Sequence, residues 1–172
     1  MFHLYRMKRV VLVRHAKAVK SDGVSISDFD RTLLPVGEAD AALMAQAHVK
    51  KFGSPGRIVT SPAARTLGTA HYFAKESGIE PSQIVHEKAV YNASLEHLLD
   101  ILRDFPATVE SAMLVGHNPG MSLLATYLGG QHLEMSTASV AVLDLEIDHW
   151  EKVSGKCGRL LSFEVAPRHK RA

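Results

Sequence analysis

With 172 residues, 46% of them hydrophobic and 22% charged, the sequence has the composition of an ordinary soluble globular chain and the length of one domain, 1–172. A formal charge of +2 at pH 7, with no basic stripe, argues against nucleic acid as a partner. No apolar run approaches the roughly 18 residues needed to span a bilayer, so no membrane partner is expected. Arg6, Lys8, Arg9 and Arg14 interrupt any signal-peptide core. Cys157 is the only cysteine, which rules out an intrachain disulfide and a thiolate metal site. A cytoplasmic protein is the expectation. A monomer is expected too, because no apolar helix face is left unexplained.

Residues 1–7 read as an extension ahead of the first strand, Val10 to Val13, an apolar run suited to burial on both faces of a sheet. It stops abruptly at Arg14-His15. Lys17 to Arg31 is polar, with turn chemistry at Ser21-Asp22-Gly23 and Ser25 to Asp30, and reads as a loop over the end of that strand. Pro35 opens a helix at its first turn, with Val36, Ala39, Leu43 and Ala47 on one predicted face and Gly53 at its end. Arg57 to Thr60 is a second strand, followed by Ser61-Pro62 as the expected helix cap and first helical residue. That helix runs to Gly78. Ile84 to Val90 reads as a third strand, and Ser94 caps a helix carrying Leu95, Leu98, Leu99 and Leu102.

Ala112 to Val115 is a further buried strand ending in Gly116-His117-Asn118-Pro119-Gly120, where Asn118 caps and Pro119 opens a helix to about Leu128. From Ser139 the period changes. Val140 to Leu145 and Leu160 to Val165 read as two antiparallel strands joined around Ser154-Gly155-Lys156. Residues 167–172 form a basic tail, expected to be solvated and mobile. Strand–helix alternation followed by a strand pair predicts a three-layer α/β fold, with a mostly parallel mixed sheet between helices.

Three of these strands end in residues of similar character: Arg14-His15, then Ser61 with Arg65 one turn on, then Gly116-His117-Asn118. In a parallel sheet such ends converge, and ligands bind there. Two arginines and two helix N-termini make an anion site, and guanidinium forks favour a phosphoryl group or a carboxylate. Two imidazoles at that site point to phosphoryl transfer through a phosphohistidine, with one attacking phosphorus and the other helping to hold its oxygens. A nitrogen nucleophile needs no metal to generate it.

These stretches resemble the histidine phosphatase superfamily, and more closely its short SixA-type branch of phosphohistidine phosphatases. The resemblance lies in Leu12-Val13-Arg14-His15-Ala16-Lys17-Ala18, Asp30-Arg31-Thr32-Leu33 through Gly37, Ser61-Pro62-Ala63-Ala64-Arg65-Thr66, and Val115-Gly116-His117-Asn118-Pro119-Gly120. It implies a phosphoglycerate mutase-like fold, no metal or other cofactor, and His15 as the nucleophile. Arg14, Arg65 and His117 complete the implied phosphate pocket. Arg31 matches an arginine near the substrate entrance, and Lys17 and Asn118 are further candidates for binding substrate.

Three departures bear on what is bound. Ala16 and Lys17 stand where many members carry glycine and a small or acidic residue, and Leu34 replaces a frequent threonine cap. Mutase and phosphomonoesterase members also supply an acid to protonate the leaving alkoxide. Among Glu87, Glu96, Asp100 and Asp104, only Glu87 is kept as a candidate. Without a strong acid, the leaving group that suits the site is an imidazole, whose pKa is about 6.5. The expected substrate is therefore a protein phosphorylated on histidine. A small-molecule phosphomonoesterase is the first alternative, and a phosphoprotein-binding module with little turnover the second.

Overall fold

The computed structural model describes residues 7–169. Six strands form one sheet: β1 (Lys8–Arg14), β2 (Arg57–Thr60), β3 (Val85–His86), β4 (Ser111–Gly116), β5 (Val140–Leu145) and β6 (Gly158–Glu164). Their order is β3-β2-β4-β1-β5-β6. β3, β2, β4 and β1 are mutually parallel, while β5 lies antiparallel to both β1 and β6. The mixed sheet predicted from the sequence is present.

Strand alternation divides the core in two. Val10 and Leu12 pack with α3 (Leu95–Arg103) and α4 (Gly120–Gly129) on one face. Val11 and Val13 pack with α1 (Pro35–Phe52) and α2 (Ala64–Ser77) on the other. β1 is therefore buried on both sides, as its uninterrupted apolar run requires.

Several local expectations are corrected. The buried stripe of α1 is Gly37, Asp40, Ala41, Met44, Ala45 and His48, whereas Leu43 is half exposed. The reason lies at the start of the helix, where a Cβ on Gly37 would sit 2.0 Å from the Lys17 carbonyl oxygen. That close approach turns the Gly37 face inward, whatever the apolar residues elsewhere on the helix prefer. α2 begins at Ala64 with Ala63 at its cap, so Ser61-Pro62 lies ahead of the helix. β3 is two residues long and gives way to a short 3-10 turn at Lys88–Val90. α4 begins at Gly120, although Asn118 Oδ1 still accepts from Ser122 N–H at 3.2 Å.

The other caps behave as expected. Leu34 caps α1 without a side-chain bond, with Pro35 beginning the helix, and Ser94 Oγ accepts from His97 N–H at the head of α3. Of the basic tail, His169 lies 2.8 Å from the buried Asp40 carboxylate of α1 and so is anchored; residues 170–172 lie outside the described residues. Of the N-terminal extension, residues 1–6 lie outside them too. Among the described residues, no helix is long and apolar enough to cross a membrane.

Candidate active site

The sheet register brings the strand ends together. Arg14 lies opposite Gly116 across β1 and β4, so His15 and His117 leave adjacent parallel strands side by side. Thr60 lies opposite Val115, which sets Ser61 on the other flank of His117. The two imidazoles are 5.5 Å apart between ring centroids. Gly116 lets Met121 pack against the end of β4, where a Cβ would lie 2.7 Å from Met121 Sδ. Arg14, His15, Arg65 and His117 all line one cavity of about 500 Å3, together with Lys17, Arg31 and Asn118.

Hydrogen bonds assign the tautomer of each ring. His15 Nδ1 lies 2.8 Å from the Ala16 carbonyl oxygen. A carbonyl can only accept, so Nδ1 carries the proton and Nε2 keeps its lone pair. Ala16 is itself tied down by its N–H to Thr69 Oγ1 at 3.0 Å. His117 Nε2 lies 2.8 Å from Ser61 Oγ, whose lone pair accepts the Ala63 N–H at 3.3 Å. Nε2 is the one acceptor available to the Ser61 hydroxyl proton among the described residues, so His117 carries its own proton on Nδ1. Burial, and after it the nearby arginines, hold both rings neutral: His15 is lowered to about 4 and His117 to about 3.

Each arginine is anchored at its far end. Arg14 Nη1 donates to the Met135 carbonyl at 2.9 Å. Arg65 Nη2 donates to Asp28 Oδ2 at 3.1 Å, while its Nη1 donates to the Asp28 backbone carbonyl. Four buried side-chain polar atoms lack a partner among the described residues: Arg14 Nε, Arg65 Nε, His117 Nδ1 and, far from the cavity, Ser77 Oγ. Three of the four are therefore donors on residues of one cavity. Buried donors without partners cost free energy, and an oxyanion in the cavity offers them acceptors.

The remaining candidates fall into different places. Arg31 Nε donates to the Val19 carbonyl at 2.7 Å and its Nη1 to Asp28 Oδ1 at 3.0 Å, at the cavity rim. Lys17 is exposed on the same rim. Asn118 lines the wall, but its amide is spent on the Met135 carbonyl and on Ser122. Glu87 is absent from the cavity lining; its carboxylate caps the turn after β3 by accepting from Ala89 N–H.

Asp28 is the one acidic residue lining the cavity among the described residues, and in the sequence its place in the polar loop signals only turn chemistry. Its carboxylate accepts from Tyr91 Oη at 2.6 Å as well as from Arg31 and Arg65. Tyr91 above all, then the two guanidinium groups, hold it well below the usual carboxylate range. The sequence signal for Asp28 is its place three residues before Arg31; Tyr91 offers none.

Comparison with known proteins follows the same lines. The family profile of the histidine phosphatase superfamily (branch 1) matches residues 10–89. An uncharacterised chloroplastic protein of Arabidopsis thaliana is 31% identical over 171 residues, 93% of this chain and 78% of that one. A crystal structure from Agrobacterium tumefaciens, provisionally assigned as the phosphohistidine phosphatase SixA, is 33% identical. It superposes with a TM-score of 0.78 over 93% of this chain and 98% of its own. The tungstate complex of the protein histidine phosphatase SixA also superposes at 0.78, covering 91% and 96%; at 19% identity it speaks for the fold alone. Profile, sequence identity and fold agree with the order of the four motifs, and the chain belongs to the histidine phosphatase superfamily, in its SixA-type branch.

Proposed function

We propose that this phosphatase hydrolyses phosphohistidine on a protein, in two transfers through a phosphorylated His15. Neutral Nε2 of His15 attacks phosphorus in line with the substrate's P–N bond. That bond breaks, its electron pair returns to the leaving imidazole, and this nitrogen takes a proton from water. Arg14, Arg65 and His117 Nδ1–H hold the equatorial oxygens through both steps, as their unpartnered donors allow. Water then attacks phosphorus, the Nε2–P bond breaks, and inorganic phosphate leaves with His15 neutral again. Arg31 and Lys17 supply positive charge at the mouth. Asn118 acts at one remove, by holding the Met135 carbonyl that anchors Arg14.

The observation that carries this choice of substrate is the state of Asp28. Three donors keep the cavity's acid ionised, so it has no proton to give a departing alkoxide. An imidazole leaving group asks for none from the protein.

Turnover of a phosphohistidine peptide and of an alkyl phosphate should be measured side by side. We expect kcat/KM to favour the peptide by about 100-fold or more, the worth of one positioned general acid. His15→Ala should abolish turnover and the acid-labile phosphoryl label on the protein. Comparable rates on the alkyl phosphate would overturn the reading in favour of a phosphomonoesterase. Phosphohistidine peptide bound tightly but not hydrolysed would favour a binding module.

A further inference from the structure

The cavity holds more positive charge than one phosphoryl group uses. Arg14, Lys17, Lys20, Arg31 and Arg65 line it, against the single carboxylate of Asp28. A phosphoryl group brings about two negative charges, which Arg14 and Arg65 can meet, while Asp28 bridges Arg65 and Arg31. Lys17 and Lys20 are left over, with no ion pair among the described residues.

The backbone that carries these cations is built rather than loose. Ala18 forms a bridge with Leu33, Val19 N–H donates to the Thr32 carbonyl at 2.8 Å, and the Lys17 carbonyl accepts from Leu34 N–H at 2.9 Å. Arg31 is pinned to Val19 and Asp28. Just beyond Asp28, Phe29 is 40% exposed and packs edge-on against Tyr91, with ring centroids 5.2 Å apart. A fixed ledge of cations beside an exposed ring matches an acidic surface with an apolar neighbour. Compact small molecules do not need the ring.

We propose that Lys17 and Lys20, beside the Asp28-paired Arg31, form a docking ledge for carboxylates that flank the phosphohistidine on an acidic partner protein. The proposal rests on the phosphohistidine reading above and adds what that reading lacks, a feature of the substrate beyond its phosphoryl group. The clamp recognises the phosphoryl group; the ledge selects which protein presents it. Because rim charges act mainly on encounter and are screened by salt, the selection should weaken as ionic strength rises.

The test uses two synthetic phosphohistidine peptides, identical except that the flanking residues are glutamates in one and lysines in the other. With the full wild-type chain at low ionic strength, kcat/KM should favour the acidic peptide by about tenfold, as several surface charge pairs acting together can supply. The preference should fade at high salt and invert in Lys17→Glu/Lys20→Glu. Equal turnover of both peptides, or a preference unmoved by salt and by the double variant, would overturn the ledge and leave the phosphohistidine reading standing. Turnover of neither peptide would overturn both. Flank-independent turnover, with inorganic pyrophosphate inhibiting far more tightly than phosphate, would reassign the ledge to a second phosphate. The salt series in the wild-type chain decides the matter even if the double variant fails to fold.

Discussion

Each cavity residue that stands ready to act has one end fixed and the other left for a ligand. His15 gives Nδ1–H to a carbonyl, Arg14 leans on Met135, Arg65 on Asp28, and His117 on Ser61. Ser61 is the least obvious of these, since a serine before proline at a strand end reads as a helix cap. In the structure it is fully buried beside His117, and its hydroxyl decides which nitrogen of that ring bears the proton. Removing the hydroxyl frees the ring to adopt either tautomer, and the tautomer protonated on Nε2 offers phosphate no donor at Nδ1. Ser61→Ala should lower kcat/KM by about 10- to 100-fold, the range found when the partner orienting a metal-bound imidazole is removed. Ser61→Thr, which restores a hydroxyl, should recover much of it. Nitrogen NMR should show the change directly, as loss of a single protonated Nδ1 on His117. An unchanged tautomer in Ser61→Ala would mean that the cavity itself, not Ser61, orients the ring.

Among the elements, the contact between the start of α1 and the loop after β1 does most to place the site. Gly37 touches the Lys17 backbone so closely that no side chain fits, and Lys17 lies two residues past His15. Gly37→Ala should therefore destabilise the fold by about 1–3 kcal/mol, as overpacking does. It should also cut turnover by shifting the loop that holds His15, with urea denaturation and kcat/KM as the two readouts. This contact shows why some of the structure was legible in the sequence and some was not. β1 and β4 announce themselves because strands buried on both faces need continuous apolar runs. Arg14, His15, Arg65 and His117 could be expected to line one cavity because they sit at strand ends or one turn into a helix, where chain order alone puts them on one edge of the sheet. The rotation of α1 was missed because it is set by a backbone approach at Gly37, which leaves no trace in hydropathy. Asp28 and Tyr91 were missed for a related reason. Sixty-three residues separate them, and they meet only because the loop after β1 folds back over Arg65. Irregular backbone has no period to read, so its long-range partners appear only in three dimensions.

At the scale of the whole molecule, three histidines are buried among the described residues. His15 and His117 occupy the cavity, and His48 is buried on α1 between Phe52 and Phe73. Burial lowers His48 to about 4, as it lowers His15 to about 4 and His117 to about 3. In the unfolded chain each returns to about 6.5. As pH falls through 6.5, the unfolded state takes up protons that the folded state refuses, so the unfolded state is favoured increasingly until the folded pKa values are reached. Each fully differing proton contributes up to about 1.4 kcal/mol per pH unit. Three of them weigh heavily against a total stability of roughly 5–15 kcal/mol. Stability from urea denaturation should therefore be level above pH 7 and fall steeply between pH 6 and pH 4.5. His48→Leu, distant from the cavity, should make that fall shallower by close to one proton's worth. Inorganic phosphate should oppose it differently, because an anion held by Arg14, Arg65 and His117 binds only the folded state and raises stability with concentration. A stability curve flat down to pH 4.5 would show that the histidines charge without resistance. In that case burial would not secure the neutral His15 that the proposed attack on phosphorus needs.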